Sequence, residues 1–249
     1  MSKEHIWSDW LKNILPPQNQ HQHQKIRTTY DRLNKKCYII PIVEKERKGA
    51  LSQRKIRKVC KSCNGGWLSN IVNNAKLSVE KLTNGEKIIL NNKLQSDLAC
   101  WIIATSMMAE FTDQPTAGVP KSDFVELYKT KSPLKLWNIA IAKYEGDKWS
   151  PHRYRHIGAK FSIPGPHGIP YSDPDKMQIT TFVLGAFIVY AFSSTDLSTV
   201  ESFRNRSSFK SLIQLFPFTH DDIDSSFLPV INDLKLMEIS DDYRWLLHE

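Results

Sequence analysis

The stretch Lys58-Val59-Cys60-Lys61-Ser62-Cys63-Asn64-Gly65-Gly66-Trp67 carries two cysteines that are separated by two residues. Two thiolates at this spacing can bind one metal ion, as they do in structural zinc sites. The residues that follow place apolar side chains on one broad helical face, and Asn84-Gly85 is a typical helix end. The stretch therefore predicts a metal-binding turn that leads directly into an amphipathic helix.

A second pair of chemically active residues lies near the start of the chain, where Glu4 and His5 precede two tryptophans. Together with the cysteine stretch, this pair resembles the HNH endonucleases, which are also called ββα-metal nucleases. More narrowly, it resembles the HNH-like proteins with the pattern KEHxWxxWL…VCxxCNxGWxS. The match covers residues 2–11 and 58–69, with weaker similarity in the helices that follow.

The resemblance implies a role for each of three residues. Hydrolysis of a phosphodiester needs an activated water, neutralisation of the phosphate charge and stabilisation of the leaving oxygen. By resemblance, His5 is the general base that activates the water, and a histidine pKa near neutrality suits that role. Glu4 and Asn64 are the implied ligands of a catalytic Mg²⁺ or Mn²⁺, since these ions prefer oxygen ligands. Taken alone, an adjacent Glu4 and His5 near a terminus are more typical of solvated residues, and a helix cap is the alternative role of Asn64.

The cysteine pair departs from the pattern of these proteins in one respect. They usually carry a second CxxC just before the acid–histidine pair, and the four thiolates then bind a structural Zn²⁺. No such pair stands ahead of Glu4 in this sequence, and Cys60 and Cys63 alone do not complete a tetrahedral zinc site. Cys37 and a histidine are candidate replacements. The open alternatives are a recruited ligand, a domain held by packing alone, or a chain truncated at its start.

Positive charge is concentrated on the part of the chain that carries both motifs. Residues 1–68 contain 15 Lys and Arg against 5 Asp and Glu, whereas the remainder contains 19 against 21. This asymmetry suits a partner with a phosphate backbone, and DNA is the expected form of nucleic acid. The predicted nucleic-acid-binding residues are Arg54, Lys55, Arg57, Lys58 and Lys61. A solvated basic loop is the alternative interpretation.

The composition indicates a folded protein of a reducing compartment. Of the 249 residues, 41% are hydrophobic and 24% are charged, which suits a globular chain with a substantial core. The 4 cysteines form no dense framework, and the first residues contain no apolar segment typical of a signal peptide. We therefore expect a cytoplasmic location. The longest apolar run, residues 182–192, is too short to cross a membrane.

The pattern along the chain predicts an α+β fold in two parts. A small ββα-metal module is expected over residues 1–84. A larger domain of helices and antiparallel strands, which would recognise a substrate or a partner, is expected over residues 85–249. In the HNH fold the histidine ends the first strand, so the strand at Glu4-His5 is expected to be very short or absent.

Individual elements follow from apolar periodicity and turn residues. Besides the helix after the cysteines, helices are predicted over 6–15, 94–111, 121–131 with Ser122 as its cap, and 241–247. Strands are predicted over 37–43, 56–59, 136–144, 154–163 and 207–217, and a strand pair bent at Gly185 within 179–192. Residues 16–36 are expected to form a loop, and residues 44–58 a basic loop that leads into the strand at 56–59.

Three hypotheses of function follow from these patterns. The first is a metal-dependent HNH endonuclease that hydrolyses phosphodiester bonds, with a phage, a mobile element or a bacterial defence system as the source that the resemblance implies. The second is a degenerate HNH fold that binds nucleic acid without cutting it. The third is a protein-interaction module in which residues 69–249 carry the function.

Overall fold

The computed structural model describes residues 4–5, 7–16, 20–31, 36–48, 55–56, 58–111, 118–161, 175–219 and 222–241. Residues 4–5, 20–31, 36–48 and 160–161 are described by their backbone alone. Helices and mainly antiparallel strands are both present within these ranges, so the α+β class is confirmed. The ββα-metal identity of the first part and the division into two domains stay predictions.

In the described part of the chain, the strands that precede the cysteine stretch are β1 (Glu4–His5), β2 (Gln20–Asp31), β3 (Lys36–Lys48) and β4 (Lys55–Ile56). β2 and β3 form an antiparallel ribbon, and β1 pairs antiparallel with β4. β1 is therefore as short as predicted. The strand predicted over 37–43 is confirmed within β3, and the ribbon register shifts where Pro41, which has no N–H, lies opposite Ile26.

The loop predicted over 16–36 is wrong over most of its length, and the basic loop predicted over 44–58 is wrong at its start. β2 occupies most of residues 16–36, and β3 continues to Lys48 through the first part of the basic segment. The polar side chains here have low strand propensity, but each strand supplies the main-chain hydrogen-bond partners of the other. The strand predicted over 56–59 is shorter and lies at Lys55–Ile56.

The helices of the described chain are α1 (Lys61–Cys63), α2 (Ser69–Thr83), α3 (Asn92–Glu110), α4 (Lys121–Thr130), α5 (Leu197–Arg204), α6 (Ser207–Lys210) and α7 (Asp233–Asp241). A wide π-helical turn, Asn64–Leu68, connects α1 to α2, and the backbone leaves helical angles at Gly66. α2 ends as predicted, because Gly85 adopts a φ of +73° that other residues rarely take. Where a helix was predicted over 6–15, the chain forms a 3₁₀ turn at Asp9–Asn13.

The starts of α3 and α4 differ in how they are capped. The side chain of Asn91 accepts a hydrogen bond from the Leu94 N–H at 3.0 Å, so α3 begins slightly before the predicted helix over 94–111. The helix predicted over 121–131 is confirmed as α4, but Ser122 is not its cap. Pro120 occupies the cap position, and Ser122 therefore lies inside the first turn.

The remaining strands of the described chain are β5 (Ile89–Leu90), β6 (Trp137–Tyr144), β7 (His152–Phe161), β8 (Asp175–Leu184), β9 (Phe187–Ser194), β10 (Ile213–Phe216), β11 (Ile223–Asp224) and β12 (Val230–Ile231). The main sheet has the order β10-β6-β9-β8-β7, with β12 parallel to β6. The strands predicted over 136–144 and 154–163 are confirmed as β6 and β7. The strand predicted over 207–217 is half wrong, because its first residues form α6, which buries Phe209.

The C-terminal part of the described chain contains helices that the sequence pattern does not predict. The helix predicted over 241–247 lies almost entirely outside the described residues. α5 and α7 were not predicted, since short amphipathic segments resemble strand or loop patterns when they contain few apolar residues. Both pack on the main sheet through buried residues such as Phe203 and Leu236.

Gly185 joins β8 to β9 and confirms the predicted bend. Its φ is +53°, and a Cβ atom at this position would lie 2.3 Å from the carbonyl oxygen of Thr83. The same carbonyl accepts a hydrogen bond from the Ala186 N–H at 2.9 Å. The turn therefore requires glycine for two reasons, its backbone angle and the close approach of the end of α2.

Both faces of the main sheet are buried, which explains why β9 is apolar from Phe187 to Phe192. Val189 and Ala191 belong to a cluster formed with α2, α3 and residues 7–15. Ile188 and Tyr190 belong to a second cluster formed with α5, α6 and α7. The sheet is thus the middle of three layers. The first cluster contains residues from both predicted domains.

A buried polar network connects α3 to the main sheet. Glu110 Oε2 lies 2.7 Å from His156 Nε2, and both side chains are only 5% exposed. The other carboxylate oxygen accepts the Gly118 N–H at 2.6 Å, and His156 Nδ1 lies 2.8 Å from Thr180 Oγ1. Thr180 donates its proton to Gln178 Oε1, so it accepts the Nδ1–H of His156. Both ring nitrogens of His156 are therefore hydrogen-bonded.

We predict that Glu110→Ala lowers the free energy of unfolding by about 3–5 kcal/mol, because it leaves His156 and the Gly118 N–H buried without their partner. Urea unfolding followed by circular dichroism measures this difference. Glu201→Ala is the matched control, since Glu201 is exposed on α5, and it should change the free energy by less than about 0.5 kcal/mol. A loss below about 1 kcal/mol for Glu110→Ala would contradict the prediction.

Candidate functional site

Trp7 anchors the N-terminal segment in the hydrophobic core. Its side chain is 1% exposed, and its ring centre lies 4.9 Å from that of Phe182 and 5.9 Å from that of Tyr154, both in edge-to-face geometry. The indole N–H of Trp101 donates to Ser8 Oγ at 3.1 Å. Side-chain packing and a hydrogen bond thus hold the chain directly after the Glu4–His5 strand.

The pairing of β1 with β4 brings the start of the chain next to the cysteine stretch. Glu4 lies opposite Ile56 and His5 lies opposite Lys55. β4 leads within a few residues to Cys60, so the backbone of the acid–histidine pair neighbours the strand that precedes the cysteine turn. The side chains of Glu4 and His5 lie outside the described part of the chain. Their convergence with Asn64 stays a prediction.

The cysteine turn is closed by hydrogen bonds to one sulfur and one carbonyl oxygen. Cys60 Sγ accepts the Cys63 N–H at 3.1 Å and lies 3.2 Å from Ser62 Oγ. The Asn64 N–H donates to the Cys60 carbonyl oxygen at 3.0 Å. The Cys63 thiol, the Ser62 hydroxyl and the Cys63 N–H together lower the pKa of Cys60 to about 7. The same thiol contact raises the pKa of Cys63.

The geometry of this turn suits Cys60 and Cys63 as two ligands of one metal ion. The two sulfurs contact each other, and Cys60 is exposed while Cys63 is half-buried. Among the residues whose side chains are described, no three His, Cys, Asp or Glu cluster closely enough to hold a metal ion. The side chain of Cys37, a candidate third ligand, lies outside that description. The structural zinc and the catalytic Mg²⁺ or Mn²⁺ therefore stay predictions.

Three of the predicted nucleic-acid-binding residues surround the turn. Lys55, Lys58 and Lys61 are exposed, and they are distributed from β4 to the first residue of α1. Arg54 and Arg57 lie outside the described residues. An exposed row of ammonium groups is able to contact phosphates, but exposure alone fits a solvated surface equally well.

A group of three side chains beside the turn was not predicted from the sequence. The ring centres of Trp67 and Tyr128 are 5.6 Å apart, in edge-to-face geometry. The Lys131 ammonium group lies 4.2 Å from the Tyr128 ring centre and 5.7 Å from that of Trp67. We call these three residues the aromatic–lysine cluster. Its members come from the turn ahead of α2 and from the end of α4, and no local pattern relates them.

Comparison with known proteins assigns no family to this arrangement. No protein-family model, curated protein or solved structure matches the chain. Within the described residues, every helix is too short or too polar to span a membrane.

We predict that Zn²⁺ protects Cys60 and Cys63 of the metal-free protein from maleimide, because a metal-bound thiolate is a poor nucleophile. Without Zn²⁺, Cys60 should react first, and Cys100 should stay unlabelled because it is 3% exposed. Peptide mass spectrometry after short labelling measures each site. Cys60→Ser is the control, and its Cys63 should be labelled at the same rate with and without Zn²⁺. Equal labelling of both cysteines in the unmodified protein under the two conditions would exclude a zinc-binding pair.

Proposed function

We propose that this chain is a metal-dependent HNH-type endonuclease that hydrolyses phosphodiester bonds of nucleic acid, with DNA as the expected substrate. The observation that carries the proposal is the pairing of Glu4–His5 with Lys55–Ile56. It makes neighbours of two segments that are far apart in sequence. The first belongs to the Glu4–His5 motif, and the second lies just ahead of the cysteine motif at residues 58–69. A chance match of two short motifs would not require them to be neighbours.

In the proposed mechanism each residue of the two motifs has one task. His5 accepts a proton from the attacking water. Glu4 and Asn64 would hold Mg²⁺ or Mn²⁺, and the ion, when bound, would supply charge neutralisation at the phosphate and at the leaving oxygen. Cys60 and Cys63 brace the turn that positions Asn64. Lys55, which pairs with His5 across the two strands, contributes positive charge beside the reacting phosphate.

A degenerate HNH fold that binds nucleic acid without cutting it is the second candidate. The exposed lysines around the turn support it as well as they support the nuclease. The two candidates differ in one measurement, which is cleavage in the presence of a divalent ion.

We predict that His5→Ala lowers the rate of plasmid cleavage by about 10²–10⁴-fold while binding and melting temperature stay close to wild type. Asn64→Ala should also lose activity, but excess Mn²⁺ should restore part of it, because a metal ligand and not the base was removed. Asn70→Ala is the matched control, since Asn70 is exposed on α2. It should cleave like the wild type.

The outcomes of this cleavage experiment separate the candidates. Cleavage by His5→Ala at the wild-type rate would remove His5 from the mechanism. If the wild type cuts neither DNA nor RNA with Mg²⁺ or Mn²⁺, the nuclease proposal is wrong. Salt-dependent binding without cleavage would then favour the second candidate.

We predict that reversing the charge of Lys55, Lys58 and Lys61 to glutamate weakens DNA binding at least about 10-fold at low salt and reduces the slope of log affinity against log salt. The control is the triple reversal of Lys93, Lys148 and Lys210, which are exposed elsewhere on the chain. It changes the net charge equally. Equal effects of both triple variants would mean that net charge, and not this surface, governs binding.

A further inference from the structure

The aromatic–lysine cluster contains a residue whose backbone conformation is unusual. Lys131 follows α4 with a φ of +51°, in the left-handed region where glycine is the common residue. Its N–H donates to the Leu127 carbonyl oxygen at 3.0 Å, and its own carbonyl oxygen accepts the Cys100 thiol at 3.4 Å. Hydrogen bonds therefore fix the backbone of Lys131 at both its N–H and its carbonyl oxygen. A long cationic side chain occupies this position, although glycine is the residue that best suits the end of a helix.

The fixed backbone directs the lysine over the ring of Tyr128, which stays open to solvent. Lys131 lies above the ring of Tyr128, yet Tyr128 is still 51% exposed. Trp67 supports this ring from the side and is itself packed against the core. A rigid, exposed ring with a neighbouring ammonium group is the combination that binds a stacked base and its adjacent phosphate.

The position of the cluster connects it to the candidate nuclease site. Trp67 belongs to the same wide turn as Asn64, the implied metal ligand. Lys58 and Lys61 are exposed just ahead of this turn. A strand that follows these lysines would reach Tyr128 close to the proposed reacting phosphate.

We infer that Trp67, Tyr128 and Lys131 form a stacking site for an unpaired base of a DNA strand, in which the base lies on the Tyr128 ring and Lys131 contacts the neighbouring phosphate. The inference rests on the proposed function and makes its substrate more specific. Bases within a duplex stack on each other and do not offer their faces, so the site selects single-stranded or locally opened DNA.

The test is a binding titration of the full chain with dye-labelled single-stranded DNA and with the matching duplex, in EDTA so that no cleavage occurs. Tyr128→Ala should weaken single-strand binding by about 5–100-fold, because it removes the stacking surface. Duplex binding should change by less than about two-fold. Tyr128→Phe keeps the ring and should bind the single strand like the wild type.

Lys131→Gln gives an independent measurement of the phosphate contact. It should reduce the magnitude of the salt slope for single-stranded DNA by about 0.7, whereas Tyr128→Ala should leave that slope unchanged. Phe227→Ala is the matched control, because Phe227 is an aromatic residue that is 83% exposed on a different element. Its binding should equal that of the wild type.

The outcomes separate this inference from the proposed function. If the wild type binds and cuts DNA but Tyr128→Ala binds single strands normally, the cluster only packs α4 against the turn and the inference is wrong. An equal loss for Phe227→Ala would also overturn it. If the wild type binds neither single strands nor duplex, the result contradicts the proposed function itself, on which this inference rests.

Discussion

The burial of Trp7 between Phe182 and Tyr154 is the interaction on which the candidate site depends. Burying an aromatic side chain contributes about 1.5–3 kcal/mol, and each edge-to-face contact adds about 0.5–1.5 kcal/mol. This packing attaches the start of the chain to a sheet formed by its second half. Because β1 begins only a few residues earlier, the same contact limits where β4 and the cysteine turn can lie. Packing against the main core thus supports the described part of the motif-bearing segment.

Elements with strong local signals could be predicted from the sequence. α2 and α3 combine helical apolar periodicity with definite ends, and Gly85 has the left-handed backbone that such an end requires. Gly185 likewise marks the bend between β8 and β9, two strands that are buried along most of their length. The pairing of Glu4–His5 near the cysteine turn could be expected only from the resemblance, since no local pattern relates residues so far apart.

Elements whose stability comes from distant partners could not be predicted. β2 contains alternating glutamines and histidines and is a strand because β3 pairs with it. α6 occupies a segment that reads as a strand, and its burial of Phe209 against the sheet decides its conformation. The aromatic–lysine cluster also depends on tertiary packing, because Trp67 and Tyr128 come together only when the turn ahead of α2 packs beside α4. Sequence patterns indicate local conformational preference, whereas these features depend on contacts between residues that are far apart in the sequence.

The shared carboxylate of Glu110 has a consequence for how the protein tolerates added sequence. One oxygen holds His156 on the sheet and the other holds the N–H of Gly118, where even a Cβ atom would lie 1.9 Å from a backbone oxygen of Met177. Both ends of the intervening segment are therefore attached to the core independently of its length. Each doubling of the length of a flexible segment between fixed ends costs only about 0.6 kcal/mol in closure entropy. An epitope or a small reporter domain inserted between residues 111 and 118 should leave the three-layer fold intact.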